Sequence, residues 1–119
     1  SLEIPKNNSV MFGSFSGTKL GVWVAHGEGK FEFPYEEKEY NIIAKYNYDG
    51  YPANPNGSPW SVAGVCSKDG RHLAMMPHPE RAIFPWQCGY YPADRKENDE
   101  VTPWIEAFVN ARKWIENNK

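Results

Sequence analysis

A histidine and a glutamate stand two residues apart in the segment Pro-His-Pro-Glu-Arg, at His78 and Glu80. Side chains at this spacing in extended backbone project to the same side, so the Glu80 carboxylate can contact the His78 ring. A carboxylate on one ring nitrogen fixes the tautomer and leaves the other nitrogen to take a proton from a nucleophile. Pro77 and Pro79 restrict the backbone and reduce the entropic cost of holding this geometry. The spacing therefore indicates a histidine general base with an orienting carboxylate.

Two other interpretations of this pair stay open. In the first, the segment is a surface turn in which His78 and Glu80 form only a weak ion pair. In the second, the pair is half of a metal site, although the zinc-deaminase pattern requires a Pro-Cys-x-x-Cys segment that this sequence lacks. Neither interpretation calls for a nucleophile beside the ring.

The two cysteines, Cys66 and Cys88, are poor candidates for a nucleophile. A nucleophile elbow needs a strand, a sharp turn and then a helix. Cys66 is instead followed by a Lys-Asp-Gly turn at 68–70 and by another predicted strand, so we expect it to be a buried small hydrophobic residue. Cys88 lies in an irregular aromatic stretch with no elbow.

The apolar segment before the pair predicts the element that positions it. Residues His72–Met76 read as a strand, so the pair follows a carboxyl end, which is where sites lie in open α/β sheets. Residues 1–10 are polar and are predicted to be mobile. The other predicted strands are Leu20–Ala25, Asn41–Tyr48 and Val62–Cys66, with an alternating segment at Phe31–Phe33.

The C-terminal residues predict one good helix. Thr102 suits the N-cap and Pro103 the first helical position. Residues 85–100 are predicted to be irregular, with a charged patch at Asp94–Glu100. The apolar stripe of the predicted helix consists of Trp104, Phe108, Ala111 and Ile115.

Composition excludes several classes of function. The chain has 119 residues and a net charge of −2, which provides no basic field for nucleic acid or for a membrane surface. No apolar run approaches the length of a membrane span, and no signal-peptide pattern is present. Two cysteines without a Cys-x-x-Cys pattern favour a reducing compartment and no metal site. We therefore expect a cytoplasmic protein without nucleic-acid or membrane partners.

Three segments together resemble a known family. They read AHGEGKF, YPANPNGSPWSVAGVCSKDGRHLAMMPHPERAIFPWQ and TPWIEAFVNARKW, and they cover the chain from about Lys19 to about Trp114. In this order they resemble the C-terminal part of the class I glutamine amidotransferase (glutaminase) domain in the family of large-form phosphoribosylformylglycinamidine synthases.

The resemblance implies an α/β fold, the C-terminal portion of a flavodoxin-like glutaminase domain, with a β-rich fragment and a C-terminal helix. It divides the chain into a polar N-terminal segment, 1–18, and the C-terminal half of the domain, 19–119, without the half that carries the nucleophile. His78 and Glu80 would belong to a Cys-His-Glu triad. His26 and Gly27 would help to frame the glutamine substrate, or else belong to a glycine-rich hairpin in which Gly27 and Gly29 supply positive φ.

The chemistry implied by the resemblance is hydrolysis of glutamine. The cysteine thiolate attacks the side-chain amide, His78 serves as base and then as acid, and Glu80 orients it. The ammonia passes to a separate synthetase domain, where ATP and magnesium are expected, whereas no cofactor or metal is expected in this stretch. The expected partners are glutamine and the remainder of the synthase chain. The isolated chain is expected to be inactive and to self-associate through exposed apolar surface.

A non-enzymatic interpretation competes with this one. Aromatic residues make up 15% of the chain, and several lie in breaker-rich loops, which suits a surface that packs on a partner. We expect Arg81 to be a solvated charge, and the loop Asn54–Pro59 receives no chemical role. The aromatic residues that would form the docking surface are Trp60, Trp86, Tyr90 and Tyr91.

Overall fold

One antiparallel sheet of five strands dominates the fold. The computed structural model describes residues 1–24 and 27–119. Counted along the chain, the strands lie side by side in the order second, first, third, fourth and fifth, and the chain ends in a helix. The prediction of a β-rich α/β arrangement that ends in a helix is confirmed. The strands are β1 (Leu2–Ile4), β2 (Thr18–Leu20), β3 (Asn41–Tyr46), β4 (Val62–Cys66) and β5 (Leu73–Met75), and the helices are α1 (Ala93–Asn98) and α2 (Ile105–Asn117).

Strand β4 lies inside the sheet, between β3 and β5, and four of its five residues are buried. Its short apolar sequence suits a strand that is covered on both sides. Gly64 is required at its centre, because a Cβ there would lie 2.9 Å from Ile43 Cδ1 and 3.4 Å from Met75 Cγ. The predicted strand Val62–Cys66 is confirmed, and β5 is one residue shorter at each end than predicted.

The core is centred on three aromatic rings. The Phe12 ring centroid is 5.4 Å from that of Phe15 and 6.0 Å from that of Trp104. Both contacts have the edge-to-face geometry that aromatic quadrupoles favour. The Trp104 indole N–H donates to the carbonyl oxygen of Gly21 at 2.8 Å, which satisfies the one polar group of this buried side chain.

The prediction of a mobile N-terminal segment is wrong. Strand β1 pairs with both β2 and β3, and only 1% of Leu2 and of Ile4 is exposed. Apolar residues in alternate positions place both side chains on the core side, although the segment is polar on average. The domain boundary after residue 18 stays a prediction.

Two other predicted strands are wrong over most of their length. Residues 21–24 have no regular structure, because the Gly21 carbonyl is bound by Trp104 and the Trp23 indole N–H donates to the carbonyl of Gln87. Ala25 lies outside the described residues. The alternating segment Phe31–Phe33 is not a strand either, since its two rings stack on each other at 5.6 Å. Strand β3 ends at Tyr46 instead of Tyr48.

The helical predictions need two corrections. Helix α2 begins at Ile105, because the Thr102 hydroxyl donates to the carbonyl of Ala82 at 2.6 Å and does not cap the helix. Of the predicted apolar stripe, Trp104 is buried, whereas 40% of Phe108 and 54% of Ile115 are exposed. Helix α1 lies in a stretch predicted to be irregular. It has no apolar stripe that would have indicated a helix.

Candidate active site

His78 and Glu80 contact each other directly. The distance from His78 Nδ1 to Glu80 Oε1 is 2.6 Å, a short charge-assisted geometry. The exposed fractions of the two side chains are 44% and 55%, so the pair lies at the surface. Because Glu80 engages Nδ1, Nε2 is the nitrogen left for proton transfer. The contact predicted from the spacing is therefore present.

The backbone around the pair is held at both ends. His78 directly precedes a 3-10 turn, Pro79–Ala82, and the Arg81 N–H donates to the His78 carbonyl at 3.0 Å. Pro77 is fully buried in front of the histidine. The end of the turn is fixed by the hydrogen bond from Thr102 to the Ala82 carbonyl at 2.6 Å. The pair therefore lies on a conformationally restricted segment between the end of β5 and the start of α2.

The electrostatic environment keeps Glu80 ionised. Partial burial opposes its ionisation, but hydrogen bonds from the His78 ring and from its own backbone N–H favour the carboxylate. The positive charges of His78 and Arg81 act in the same direction, and together these effects hold the pKa of Glu80 below its ordinary value of 4.5. Arg81 itself is exposed, as predicted. An ionised carboxylate is the form that accepts a hydrogen bond from the ring and orients it.

A cavity of about 240 Å³ lies beside the pair. Its floor is apolar, and no cysteine is among the described residues that line it. A reacting group placed in it would lie next to the imidazole. The lining residues are Met11, Phe12, Leu73, Met75 and Phe108, together with the segment from Pro77 to Glu80.

Neither cysteine has the surroundings of an activated nucleophile. Cys66 is packed in the core with 9% of its surface exposed, so its interpretation as a buried small hydrophobic residue is confirmed. Burial raises the pKa of the Cys88 thiol, which lowers its thiolate fraction at neutral pH. The Cys88 thiol lies 3.9 Å from the carbonyl oxygen of Phe84. Neither thiol is among the described residues that line the cavity beside His78.

Of the two residues predicted to frame the substrate, only Gly27 lies among the described residues, and it does not line the cavity beside His78. His26 lies outside the described residues. Gly27 lines a different cavity, of about 600 Å³, whose other lining residues include Tyr46 and Tyr48. The backbone of Gly27 is not in the left-handed region, so the hairpin interpretation that required positive φ there is wrong. Their role in binding stays a prediction.

The loop that received no chemical role contains a buried polar network. Only 3% of Asn54 and of Ser58 is exposed, and the Ser58 N–H donates to Asn54 Oδ1 at 3.0 Å. Asp49 Oδ1 accepts from the Asn54 amide and from the Ser61 hydroxyl, each at 3.1 Å. Trp60 and Ser61 have positive φ values of 55° and 58°. The cluster of Asn, Asp and Ser in the sequence is a signal for such local hydrogen bonding.

Aromatic side chains form an exposed patch after the 3-10 turn of the site. The exposed fractions of Trp86 and Tyr90 are 73% and 85%, and the Trp86 ring stacks on that of Phe84 at 6.0 Å. The Tyr91 hydroxyl donates to Asp99 Oδ2 at 2.5 Å. This hydrogen bond, after the larger effect of burial, raises the pKa of Tyr91. Tyr91 is therefore engaged inside the chain, whereas Trp86 and Tyr90 are available to a partner.

Among the described residues, no three His, Cys, Asp or Glu side chains come together as ligands for a metal ion. Over residues 1–24 and 27–119, no helix combines the length and apolar character needed to cross a bilayer.

Comparison with known families defines the class of protein. Residues 1–115 match the CobB/CobQ-like glutamine amidotransferase domain, and the chain belongs to this family. Its curated relatives include the phosphoribosylformylglycinamidine synthases of Drosophila melanogaster and Homo sapiens, each 43% identical over 96% of this chain. An Arabidopsis thaliana relative with the same name, qualified as chloroplastic/mitochondrial, is 42% identical over 98%. The chain spans about a tenth of the length of these relatives, and the resemblance found in the sequence is confirmed.

Proposed function

We propose that this chain is the C-terminal half of a glutaminase domain, in which His78 is the general base and Glu80 orients it. The observation that carries this proposal is the 2.6 Å contact between the two side chains at the rim of an apolar cavity. Membership of the glutamine amidotransferase family supports glutamine as the substrate. The nucleophilic cysteine comes from polypeptide outside residues 1–119, so the chain alone is inactive.

In the proposed reaction, His78 Nε2 takes the proton from a cysteine thiol while the sulfur attacks the side-chain amide carbon of glutamine. The C–N bond then breaks, and the imidazolium gives its proton to the departing ammonia. The neutral ring next takes a proton from water, which attacks the glutamyl thioester and releases glutamate and the thiol. Glu80 holds the ring in one tautomer throughout, and Pro77 and Pro79 hold the backbone.

The names of the relatives support the proposal that glutamine hydrolysis is one of two reactions carried out by a larger enzyme. There, ammonia is used in a separate synthetase domain, where ATP activates formylglycinamide ribonucleotide in the presence of magnesium. The overall step is a ligase reaction of purine biosynthesis. We assign no residue of this chain to ATP, magnesium or the ribonucleotide, and we place the protein in the cytoplasm.

For the substrate contacts we retain His26 and Gly27 as proposed backbone contacts to glutamine. Their support is the AHGEG segment of the sequence and the family membership. Replacing His26 with Pro removes its backbone N–H and is expected to raise the KM for glutamine more than it lowers kcat. An unchanged KM would remove His26 from the site.

The proposal is tested in the complete enzyme by the His78→Ala variant. Glutamine-dependent synthesis should fall by roughly 10²- to 10⁴-fold, because general base catalysis is lost. Synthesis from added ammonia should stay near the wild-type rate, since ammonia bypasses the glutaminase reaction. Equal rates with glutamine for the variant and the wild type would show that His78 is not the base.

The exposed aromatic patch favours a second candidate function, a non-enzymatic docking domain. Trp86 and Tyr90 are the most solvent-accessible part of the patch, at 73% and 85%. If docking is the only role, Trp86→Ala should abolish association with the rest of the protein while His78→Ala changes no rate. If the chain is part of a glutaminase, His78→Ala should instead slow glutamine hydrolysis more than Trp86→Ala does.

A further inference from the structure

Three separate segments of the chain are joined to one another by hydrogen bonds. The Thr102 N–H donates to the carbonyl of Ile83 at 2.6 Å, and the Thr102 hydroxyl donates to the carbonyl of Ala82 at 2.6 Å. These two bonds join the third segment to the second. In chain order, the three segments are residues 21–23, 82–87 and 102–104.

Two tryptophans complete the connections between the segments. The Trp104 indole N–H donates to the carbonyl of Gly21 at 2.8 Å, which joins the third segment to the first. The Trp23 indole N–H donates to the carbonyl of Gln87, which joins the first segment to the second. Each segment is therefore bonded directly to both of the others. We call this arrangement the hydrogen-bonded triangle.

Two corners of the hydrogen-bonded triangle lead into proposed site residues. The second segment begins at the last residue of the 3-10 turn Pro79–Ala82, which carries Glu80 and directly follows His78. The first segment ends four positions before Gly27. Gly27 and the His78–Glu80 pair line different cavities, so their relative placement depends on the backbone that connects them.

The third corner carries no proposed site residue, yet its hydroxyl is bonded to the turn of the site. Threonine at position 102 suits a helix N-cap, but α2 has no side-chain cap, because the Thr102 hydroxyl donates to Ala82 instead. Thr102 and Ala82 are both buried. Without the hydroxyl, the Ala82 carbonyl would be a buried acceptor that has lost a partner. A turn that moved to recover a partner would displace Glu80, two residues away.

The side of the triangle formed by Trp23 lies at the surface, where 52% of this residue is exposed. Its ring covers Gly89, because an added Cβ there would lie 3.0 Å from Trp23 Cη2. The acceptor residue, Gln87, is itself held, since its side-chain oxygen accepts from the Phe84 N–H at 2.9 Å. Because the Trp23 ring is half exposed, this side can be altered without disturbing the core.

We propose that the hydrogen-bonded triangle is a positioning device for glutamine hydrolysis. Thr102 fixes the turn that carries Glu80, and Trp23 fixes the segment that leads to Gly27. Neither Thr102 nor Trp23 is among the described residues that line the cavity beside His78, so both are positioning residues. The proposal rests on the proposed function, because the base and the substrate contacts are those proposed above. The Thr102 side then governs kcat, and the Trp23 side governs the KM for glutamine.

The Thr102 side is tested in the complete enzyme by Thr102→Val, which keeps the side-chain volume and removes the hydroxyl. The kcat for glutamine-dependent synthesis should fall roughly ten- to a hundredfold, because a displaced base is no longer aligned with the reacting atoms. Synthesis from added ammonia should stay near the wild-type rate. Thr102→Ser restores the hydroxyl and should recover most of the lost kcat.

Thr18→Val is the matched control for Thr102→Val. The Thr18 hydroxyl also donates to a backbone carbonyl at 2.6 Å, that of Phe15, but it lies outside the hydrogen-bonded triangle. Glutamine-dependent kcat in this variant should therefore equal that of the wild type.

The Trp23 side is tested by Trp23→Phe, which keeps an aromatic ring and removes the indole donor. The KM for glutamine should rise roughly tenfold, the equivalent of one hydrogen bond, with little change in kcat. Trp114→Phe makes the same change outside the triangle and should alter neither constant. A general loss of stability would not separate the two constants, whereas positioning predicts that Thr102→Val changes kcat and Trp23→Phe changes KM.

Hydrogen exchange in the complete enzyme gives a readout that does not depend on activity. The Arg81 N–H donates to the His78 carbonyl at 3.0 Å, so its exchange rate reports whether the turn is closed. Exchange there should be faster in Thr102→Val and unchanged in Thr102→Ser and Thr18→Val. The amides of β4 should be unchanged in all three variants, which would show that the domain is folded.

Three results would overturn the positioning proposal. In the first, Thr102→Val uses glutamine at the wild-type rate while His78→Ala does not, so that the triangle has no catalytic role and the proposed function stands. In the second, Trp114→Phe raises the KM as much as Trp23→Phe. In the third, exchange at Arg81 is faster in Thr102→Val, but both this variant and His78→Ala use glutamine at the wild-type rate. The proposed function then fails, and the positioning role fails with it.

Discussion

At the scale of single residues, the chemistry depends on the contact between His78 Nδ1 and Glu80 Oε1 at 2.6 Å. The contact was predicted from the spacing, but the premise of extended backbone was wrong, because Glu80 lies in the 3-10 turn Pro79–Ala82 that His78 precedes. The cavity in front of the ring was not predictable. It is built by Met11, Leu73 and Phe108, which come from three distant parts of the sequence.

The role of Glu80 is tested by Glu80→Gln in the complete enzyme. The amide is nearly isosteric, but it carries no charge and no longer fixes one tautomer of the ring. We expect the kcat for glutamine hydrolysis to fall roughly a hundredfold or more. Arg81→Gln is the control, since Arg81 contributes only a weak electrostatic effect on Glu80, and its kcat should stay within about threefold of the wild type. An unaltered kcat in Glu80→Gln would mean that the carboxylate does not orient the base.

The depressed pKa of Glu80 also predicts a pH dependence of stability. Since its pKa is lower in the folded state than its ordinary value of 4.5, the ionised carboxylate stabilises the fold above that pH. This contribution is lost as the pH falls through the folded pKa. The free energy of unfolding of the wild type should exceed that of Glu80→Gln by a few tenths of a kcal/mol near pH 7, because the pair is exposed. The difference should vanish in acid, and a difference that grew on acidification would contradict the assignment.

At the scale of elements, the sequence predicted β4, the hairpin turn at 68–70 and the C-terminal helix, because each has a strong local signal. The errors arose where a tertiary contact outweighed local pattern. The Trp104 indole binds the carbonyl of Gly21 from 83 residues away, and residues 21–24 therefore do not extend β2. Strand β1 was missed because two core residues, Leu2 and Ile4, are diluted by polar neighbours.

The hairpin turn gives a prediction for Gly70. Its φ is +79°, and a Cβ there would lie 2.2 Å from the carbonyl oxygen of Asn8. Its carbonyl also accepts from the Val10 N–H at 2.9 Å, so the turn cannot move freely. Gly70→Ala should lower the free energy of unfolding by more than about 2 kcal/mol, measured by urea denaturation.

Gly57 provides the matched control for Gly70. Its φ is +73°, but an added Cβ would meet nothing within 4 Å. Gly57→Ala should therefore cost only the backbone strain, roughly 1 kcal/mol. Equal losses of stability in Gly57→Ala and Gly70→Ala would show that the close approach to Asn8 is unimportant.

At the scale of the whole molecule, the sheet has one charged edge and one apolar edge, and the candidate base follows the apolar one. The family match covers residues 1–115, whereas the chain spans about a tenth of the length of its relatives. The family could be predicted from the sequence, because three long and specific segments resemble it in the same order.

The most direct test of the central claim is to locate the glutamyl thioester in the complete enzyme by mass spectrometry after reaction with glutamine. We expect a glutamyl group on a cysteine outside residues 1–119, and its accumulation should depend on His78. A glutamyl group on Cys66 or Cys88 would contradict the account, because the chain would then carry its own nucleophile.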